Sequence, residues 1–200
     1  LDTSRTSAGR VGDQPRLDAA MDAALLLAAL ASRAGDRVDF LAGDRWLRAR
    51  VTTSAHRATL LGDLVQAMAP LDPALLEASW PTLASAIADT SRRRALVVLL
   101  TPLEPAAIQE SLLPSLPALT RHHRVVLASV ADPEVARLAA CRETTTDAYA
   151  AAAAERTLAL AERTAGVLRR MGVSVIDASP EELPPRLADH YLMLKAQGLL

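Results

Sequence analysis

The sequence predicts an α/β protein, a doubly wound and mostly parallel sheet with helices on both faces. Two observations carry that reading. The later half of the chain alternates short strand-like runs (the continuously apolar Ala95–Leu100, then Val125–Val130 and Val173–Asp177) with helical stretches, as a parallel sheet covered by helices requires. Half of the 200 residues are hydrophobic but only 2% are aromatic, so a large core is available and it must be aliphatic.

The elements follow in order. Arg16 to Ala34 carries apolar residues at helical spacing (Leu17, Met21, Ala24, Leu25, Ala28), with Gly35 where a C-terminal cap belongs. Arg37–Gly43 and Trp46–Val51 read as two short strands joined at a Gly43-Asp44 turn. Ser54 is placed to cap a helix running to about Met68, which Pro70 and Pro73 close. Thr82 is placed to cap a short helix through Asp89. After the first apolar run, Pro105 opens a helix that Pro114 and Pro117 are expected to interrupt. Asp132-Pro133-Glu134 starts another helix, and Thr144-Thr145-Thr146 reads as a surface loop before an Ala-rich helix ending at Met171 and Gly172. The final helix follows Pro184-Pro185.

Charge and composition exclude several functions. The 22 Lys+Arg and 23 Asp+Glu nearly cancel, giving a formal charge of −1, and the few rings offer no stacking platform, so no nucleic-acid surface is predicted. Lys195 is the only lysine and no glycine-rich loop precedes it, so a phosphate loop of the G-x-x-x-x-G-K type is excluded. One cysteine, Cys141, makes neither a disulfide nor a zinc cluster, which fits a reducing, cytoplasmic setting. The longest apolar run, Ala23 to Ala31, is too short to cross a bilayer. The chain opens on Leu1 and then polar loop residues, where an open sheet normally places a buried strand. A first, central strand is therefore expected largely upstream, in a longer protein.

Ligands of doubly wound sheets gather outside the carboxyl ends of the strands, which directs attention to Asp2–Thr6, the loop before Thr82, Thr101–Glu104, Ala131-Asp132 and Asp177–Ser179. Asp2-Thr3-Ser4-Arg5-Thr6 stands out: a carboxylate and two hydroxyls alternate in one tight loop, and hard oxygens so arranged suit Mg²⁺. That loop resembles the D-x-S-x-S/T loop of von Willebrand factor A domains and their metal-ion-dependent adhesion site. Arg16–Ala20, Gly35–Leu41, Arg94–Thr101 and Tyr191–Lys195 resemble one bacterial branch more closely, the domain-of-unknown-function 58 family, often encoded beside MoxR-type AAA+ ATPases. The resemblance covers essentially the whole chain, residues 1–200, as one domain.

The resemblance implies a sheet of about six strands, with the Trp46–Val51 strand antiparallel at its edge. It implies a divalent cation such as Mg²⁺ held by Asp2, Ser4 and Thr6 of the first loop and Thr82 of the second. The third loop departs from the pattern, since Thr101-Pro102 stands where the family has Thr-Asp and a carboxylate is lost. The function it implies is a non-enzymatic interaction domain with a degenerate adhesion site, working with a MoxR-type ATPase in protein assembly or maturation. It also implies transmembrane helices before the domain in many members, though no membrane contact by these residues. The alternative on the same scaffold is an enzyme for a small phosphorylated or nucleotide-like substrate.

Other residues read as structural. Asp18 and Asp22, one turn apart, form a solvated helix face. His122-His123 precedes a buried strand, one ring expected outward and one inward, without the further ligands a metal needs. His56 and His190 lie on presumed helices, Arg92-Arg93-Arg94 is a solvated turn, and Cys141 is a small hydrophobe.

Overall fold

A computed structural model describes residues 1–52 and 59–200, so the predicted helix start at Ser54 and His56 lie outside the described residues. Three parallel strands form one sheet: β5 (Leu96–Leu100), β6 (Arg124–Val130) and β7 (Val173–Ala178), in the order β5-β6-β7. A hairpin, β3 (Asp39–Gly43) and β4 (Leu47–Thr52), forms a second, antiparallel sheet with Phe40 opposite Val51. A third pair, β1 (Arg10–Val11) and β2 (Gln14–Pro15), turns at Gly12, whose φ of 58° favours glycine.

Strand alternation sorts the core into two faces. Leu99, Val125, Leu127 and Val173 pack toward α3 (Trp80–Thr90), α5 (Leu113–Thr120) and α7 (Thr145–Arg170). Leu100, Val126, Ala128 and Val130 pack toward α1 (Arg16–Arg33) and α8 (Leu183–Ala196). The hairpin has its own cluster, in which Phe40 and Ala42 meet Ala28 of α1 and Leu60, Leu64 and Met68 of α2 (Leu60–Met68). The fold class is therefore α/β with helices against each face of a parallel sheet, and the hairpin stands apart from that sheet.

Leu1, Asp2 and Thr3 run between the two. The Leu1 nitrogen donates to Leu41 O at 2.8 Å, Gly43 N donates to Leu1 O at 3.0 Å, and Thr3 N donates to Gly43 O at 2.9 Å. On the other side Asp2 N donates to Leu100 O at 2.9 Å. Gly43 is required there, because a Cβ would stand 2.5 Å from Trp46 O and 2.9 Å from Leu83 Cδ2.

Several expectations are corrected. Thr82 is not a cap: α3 begins two residues earlier, Ser79 holds the capping position, and the two hydroxyls lie 2.8 Å apart. Thr144 is a cap rather than a loop residue. Its hydroxyl accepts from Asp147 N and its own N donates to the Asp147 carboxylate, a reciprocal box that starts α7. Pro114 and Pro117 do not interrupt their helix, which runs from α4 (Pro105–Ala107) through a π-helical turn (Ile108–Leu112) into α5. The wider π turn shifts the hydrogen-bond ladder just where the prolines remove donors. The Gly43-Asp44 turn is displaced by a bulge, with Gly43 still paired to Leu47.

Two further contacts hold the helices in place. Tyr191 Oη donates to Asp36 Oδ2 at 2.5 Å, and Lys195 Nζ lies 2.7 Å from Asp36 Oδ1, tying α8 to the turn that ends α1. His122 is exposed and His123 buried, as their position before β6 predicts. Burial pushes the His123 imidazole below its usual range, helped by the neighbouring His122 charge, and burial with the Arg124 charge does the same to His190. A histidine held neutral in the fold but free to protonate when unfolded makes stability fall as pH drops below about 6.5. Urea unfolding between pH 7.5 and 5 should therefore show a falling midpoint, and a His123→Gln, His190→Gln chain should show a flatter profile.

Candidate functional site

The carboxyl ends of β3 and β5 and the segment between them form the candidate site. Asp2 sits there because its backbone is hydrogen-bonded to β5 and, through its neighbours, to β3. A short 3₁₀ turn (Arg5–Ala8) then folds the chain back over its own carboxylate. Asp2 is 2% exposed, and Thr3, Ser4 and Thr6 are also buried.

Both oxygens of the carboxylate are engaged. Oδ1 accepts from Ser4 N at 2.8 Å. Oδ2 accepts from Thr6 Oγ1 at 3.1 Å and from Thr101 Oγ1 at 2.6 Å. Ser4 and Thr6 hydroxyls lie 3.0 Å apart, and because the single Thr6 proton goes to Asp2, Ser4 is the donor of that bond. The folded chain thus brings Asp2, Ser4 and Thr6 together, as the loop pattern suggested. Thr82 is elsewhere, exposed on the first turn of α3 and bonded to Ser79. The third loop supplies Thr101 instead, directly through its hydroxyl.

A cation's shell can be tested against this set. Mg²⁺ takes about six oxygens in octahedral array, usually one or two of them from carboxylates and several from water. Here there is one carboxylate, both of its oxygens already accept hydrogen bonds, and the Thr6 and Thr101 protons point at it. A Mg²⁺ held here by the one carboxylate and the hydroxyls would keep several of its own waters, as that ion usually does. Among the described residues, no group of three or more His, Cys, Asp or Glu side chains is placed to hold a metal ion.

A second buried carboxylate lies beside the first and was read from sequence only as a turn residue. Asp44 is fully buried; it accepts from Thr3 Oγ1 at 3.2 Å, Trp46 N at 3.1 Å and Arg48 Nε at 2.9 Å. Burial pushes its carboxyl upward, but the hydrogen bonds from Arg48, Trp46 and Thr3 and the Arg48 charge hold it below the usual carboxylate range. Its backbone oxygen accepts from Ser79 N, while Ala74 N donates to Thr3 O and Arg5 N donates to Leu76 O. These bonds lay the 71–79 loop against the Asp2 loop.

The outer surface of this end is apolar and charged together. Leu75 is 85% exposed and Trp46 is 59% exposed, with the Arg45 guanidinium 5.7 Å above the Trp46 ring. Arg5 pairs with Glu77 beside Leu76.

An α/β domain with a hydroxyl-and-carboxylate loop at the carboxyl end of its parallel strands is the class these features define. The chain belongs to the family described as Protein of unknown function DUF58, which it matches over residues 1–154. No curated protein matches the chain.

Replacing Asp2 by Ala would leave the Ser4 amide and the Thr6 and Thr101 hydroxyls without their acceptor, at a cost of about 3 kcal/mol. Thr82→Ala, on an exposed turn, should cost within about 0.5 kcal/mol. Urea unfolding of the two variants checks this, and equal effects would place Thr82 in the same network.

Proposed function

We propose that this domain is a non-enzymatic protein-docking module whose binding face is the carboxyl end of β3 and β5. The reading rests on one observation: the acidic centre of that face is turned inward and satisfied by its own hydroxyls, while Trp46 and Leu75 are turned outward around it. A buried aspartate whose two oxygens both accept hydrogen bonds from its own loops holds those loops in shape. Exposed tryptophan and arginine are enriched among the side chains that anchor protein interfaces, where a few residues carry most of the binding energy, and Leu75 adds exposed apolar area.

The resemblance to von Willebrand A domains supplies the manner of docking. In such domains a cation at this end bridges to an acidic side chain of the partner. Here the Asp2, Ser4 and Thr6 loop is retained in degenerate form and Thr101 closes it, so docking is cation-independent and uses the same loops. The partner that the resemblance points to is a MoxR-type AAA+ ATPase, acting with this domain on the assembly or maturation of other proteins. Thr82, exposed on the rim, belongs to the docking face rather than to the acidic centre.

Titration calorimetry of the domain with a nucleotide-free MoxR-type ATPase, in Mg²⁺ and again in excess EDTA, tests both parts. Affinity should agree within about twofold between the two buffers, and a Trp46→Ala, Leu75→Ser chain should bind about tenfold or more weakly. Binding abolished by EDTA would restore the cation bridge. Undiminished binding by the double variant would move the docking face elsewhere.

A further inference from the structure

The parallel sheet begins at three segments that lie side by side. Residues 91–95 lead from α3 into β5, residues 121–124 from α5 into β6, and residues 169–172 from the end of α7 into β7. Leu96 pairs with Arg124, Val125 pairs with Val173, and Arg124 N donates to Ala95 O at 3.0 Å, so the three strands start level with one another. Neighbouring strands are about 4.8 Å apart, and the row therefore spans about 10 Å at the end of the sheet opposite Asp2.

Charge is concentrated in that row. Its thirteen residues hold seven of the chain's 22 lysines and arginines and no aspartate or glutamate, while the other fifteen basic residues are set against all 23 acidic ones. Arg92, Arg93 and Arg94 are exposed on the first segment, Arg121 on the second, and Arg169 and Arg170 on the third. Arg124 is half-buried, its Nε enclosed without a hydrogen-bond partner. Among the described residues, Arg169 pairs with Glu162 at 2.7 Å and the other six arginines form no ion pair. Helices α3, α5 and α7 all end at this edge, and a helix C-terminus favours cations, but each supplies only about half a negative charge. The row is left strongly positive, and like charges this close repel one another unless an anion lies among them.

The chemistry and spacing of the row define that anion. Guanidinium groups grip carboxylates and phosphates through paired N–H donors. No aromatic residue lies in the three segments, so nucleic-acid bases have nothing to stack on. The interval of about 4.8 Å between segments matches the roughly 5–6 Å between side chains three or four residues apart on a helix, and falls short of the roughly 6.8 Å between same-face side chains of an extended strand. A row this narrow selects charges set in a line rather than a plane of headgroups.

We infer that the amino end of the parallel sheet docks an acidic helix of a partner protein, lying across the strands with carboxylates one helical turn apart over the segments before β5, β6 and β7. This surface shares no residue with the loops at the carboxyl end, so both ends are open to partners at once.

The test uses labelled peptides of about 18 residues, Ala-rich so that they are helical on their own. One carries four Glu on one face at i, i+4, i+7 and i+11, a second carries Gln at the same positions, and a third spreads the four Glu around the helix. Binding to the 200-residue chain is read by fluorescence anisotropy in about 50 mM salt, where surface charge is weakly screened. The one-faced Glu peptide should bind about tenfold or more tightly than either of the others, and about 0.5 M salt should remove most of that difference. An Arg93→Glu, Arg121→Glu, Arg170→Glu chain should lose about tenfold or more in affinity for it with an unchanged Tm, since all three side chains are exposed. Equal binding of the one-faced Glu and Gln peptides would overturn the inference, and that comparison needs no variant. So would equal binding of the two Glu peptides, or undiminished binding by the triple variant. Vesicles of phosphatidylcholine with about 30% phosphatidylserine, bound more tightly than the peptide and released by the same three substitutions, would assign the face to a bilayer instead.

Discussion

The Asp2 carboxylate is the constraint on which the rest of this architecture depends. Its backbone is bonded to the last residue of β5, its flanking residues are bonded to β3, and its side chain gathers Ser4, Thr6 and Thr101. Hydrogen bonds to a buried charged group are among the stronger ones available to a protein, and leaving such a group unpaired is costly. The Asp2 side chain therefore ties the turn to the parallel sheet, while the backbone around it holds the hairpin. Asp44 repeats the device one layer out, taking Thr3 and Arg48 and, through its carbonyl, the loop before α3.

Under the proposed docking function, this arrangement would let the same loop pattern work without a cation. Where a metal would draw hydroxyls and carboxylates around itself, Thr6 and Thr101 give their protons to Asp2 and the loop keeps its shape unaided. The polar groups then face inward. What remains on the surface is Trp46, Leu75, Arg5 and Arg45, a mixture of apolar area and guanidinium charge suited to a protein partner.

Much of the fold was legible in the sequence because its strongest signals are local. Ala95–Leu100 is continuously apolar, Val125–Val130 and Val173–Asp177 are rich in Val, Leu and Ile, and each became a strand of the parallel sheet with boundaries shifted by a residue or so. Asp2, Ser4 and Thr6 were legible as a cluster because their alternation is itself local. Thr101 was legible as part of the third loop, but its bond to Asp2 was not, since that partner is 99 positions away and Pro102 drew attention to what the loop had lost. Asp44 read as a turn residue because only tertiary packing buries it. The Thr144 box was missed although Asp147 stands at the right spacing, the run of threonines having suggested a loop. Pro114 and Pro117 misled for a different reason: a π turn absorbs the missing donors, and no composition signal marks it.

The central claim is that Asp2 and Thr101 are energetically coupled across the seam between the hairpin and the sheet. A double-mutant cycle of Asp2→Asn and Thr101→Val, read by urea unfolding at neutral pH, measures that coupling directly. The account predicts a coupling energy of about 1 kcal/mol or more. Effects that add to within about 0.5 kcal/mol would contradict it.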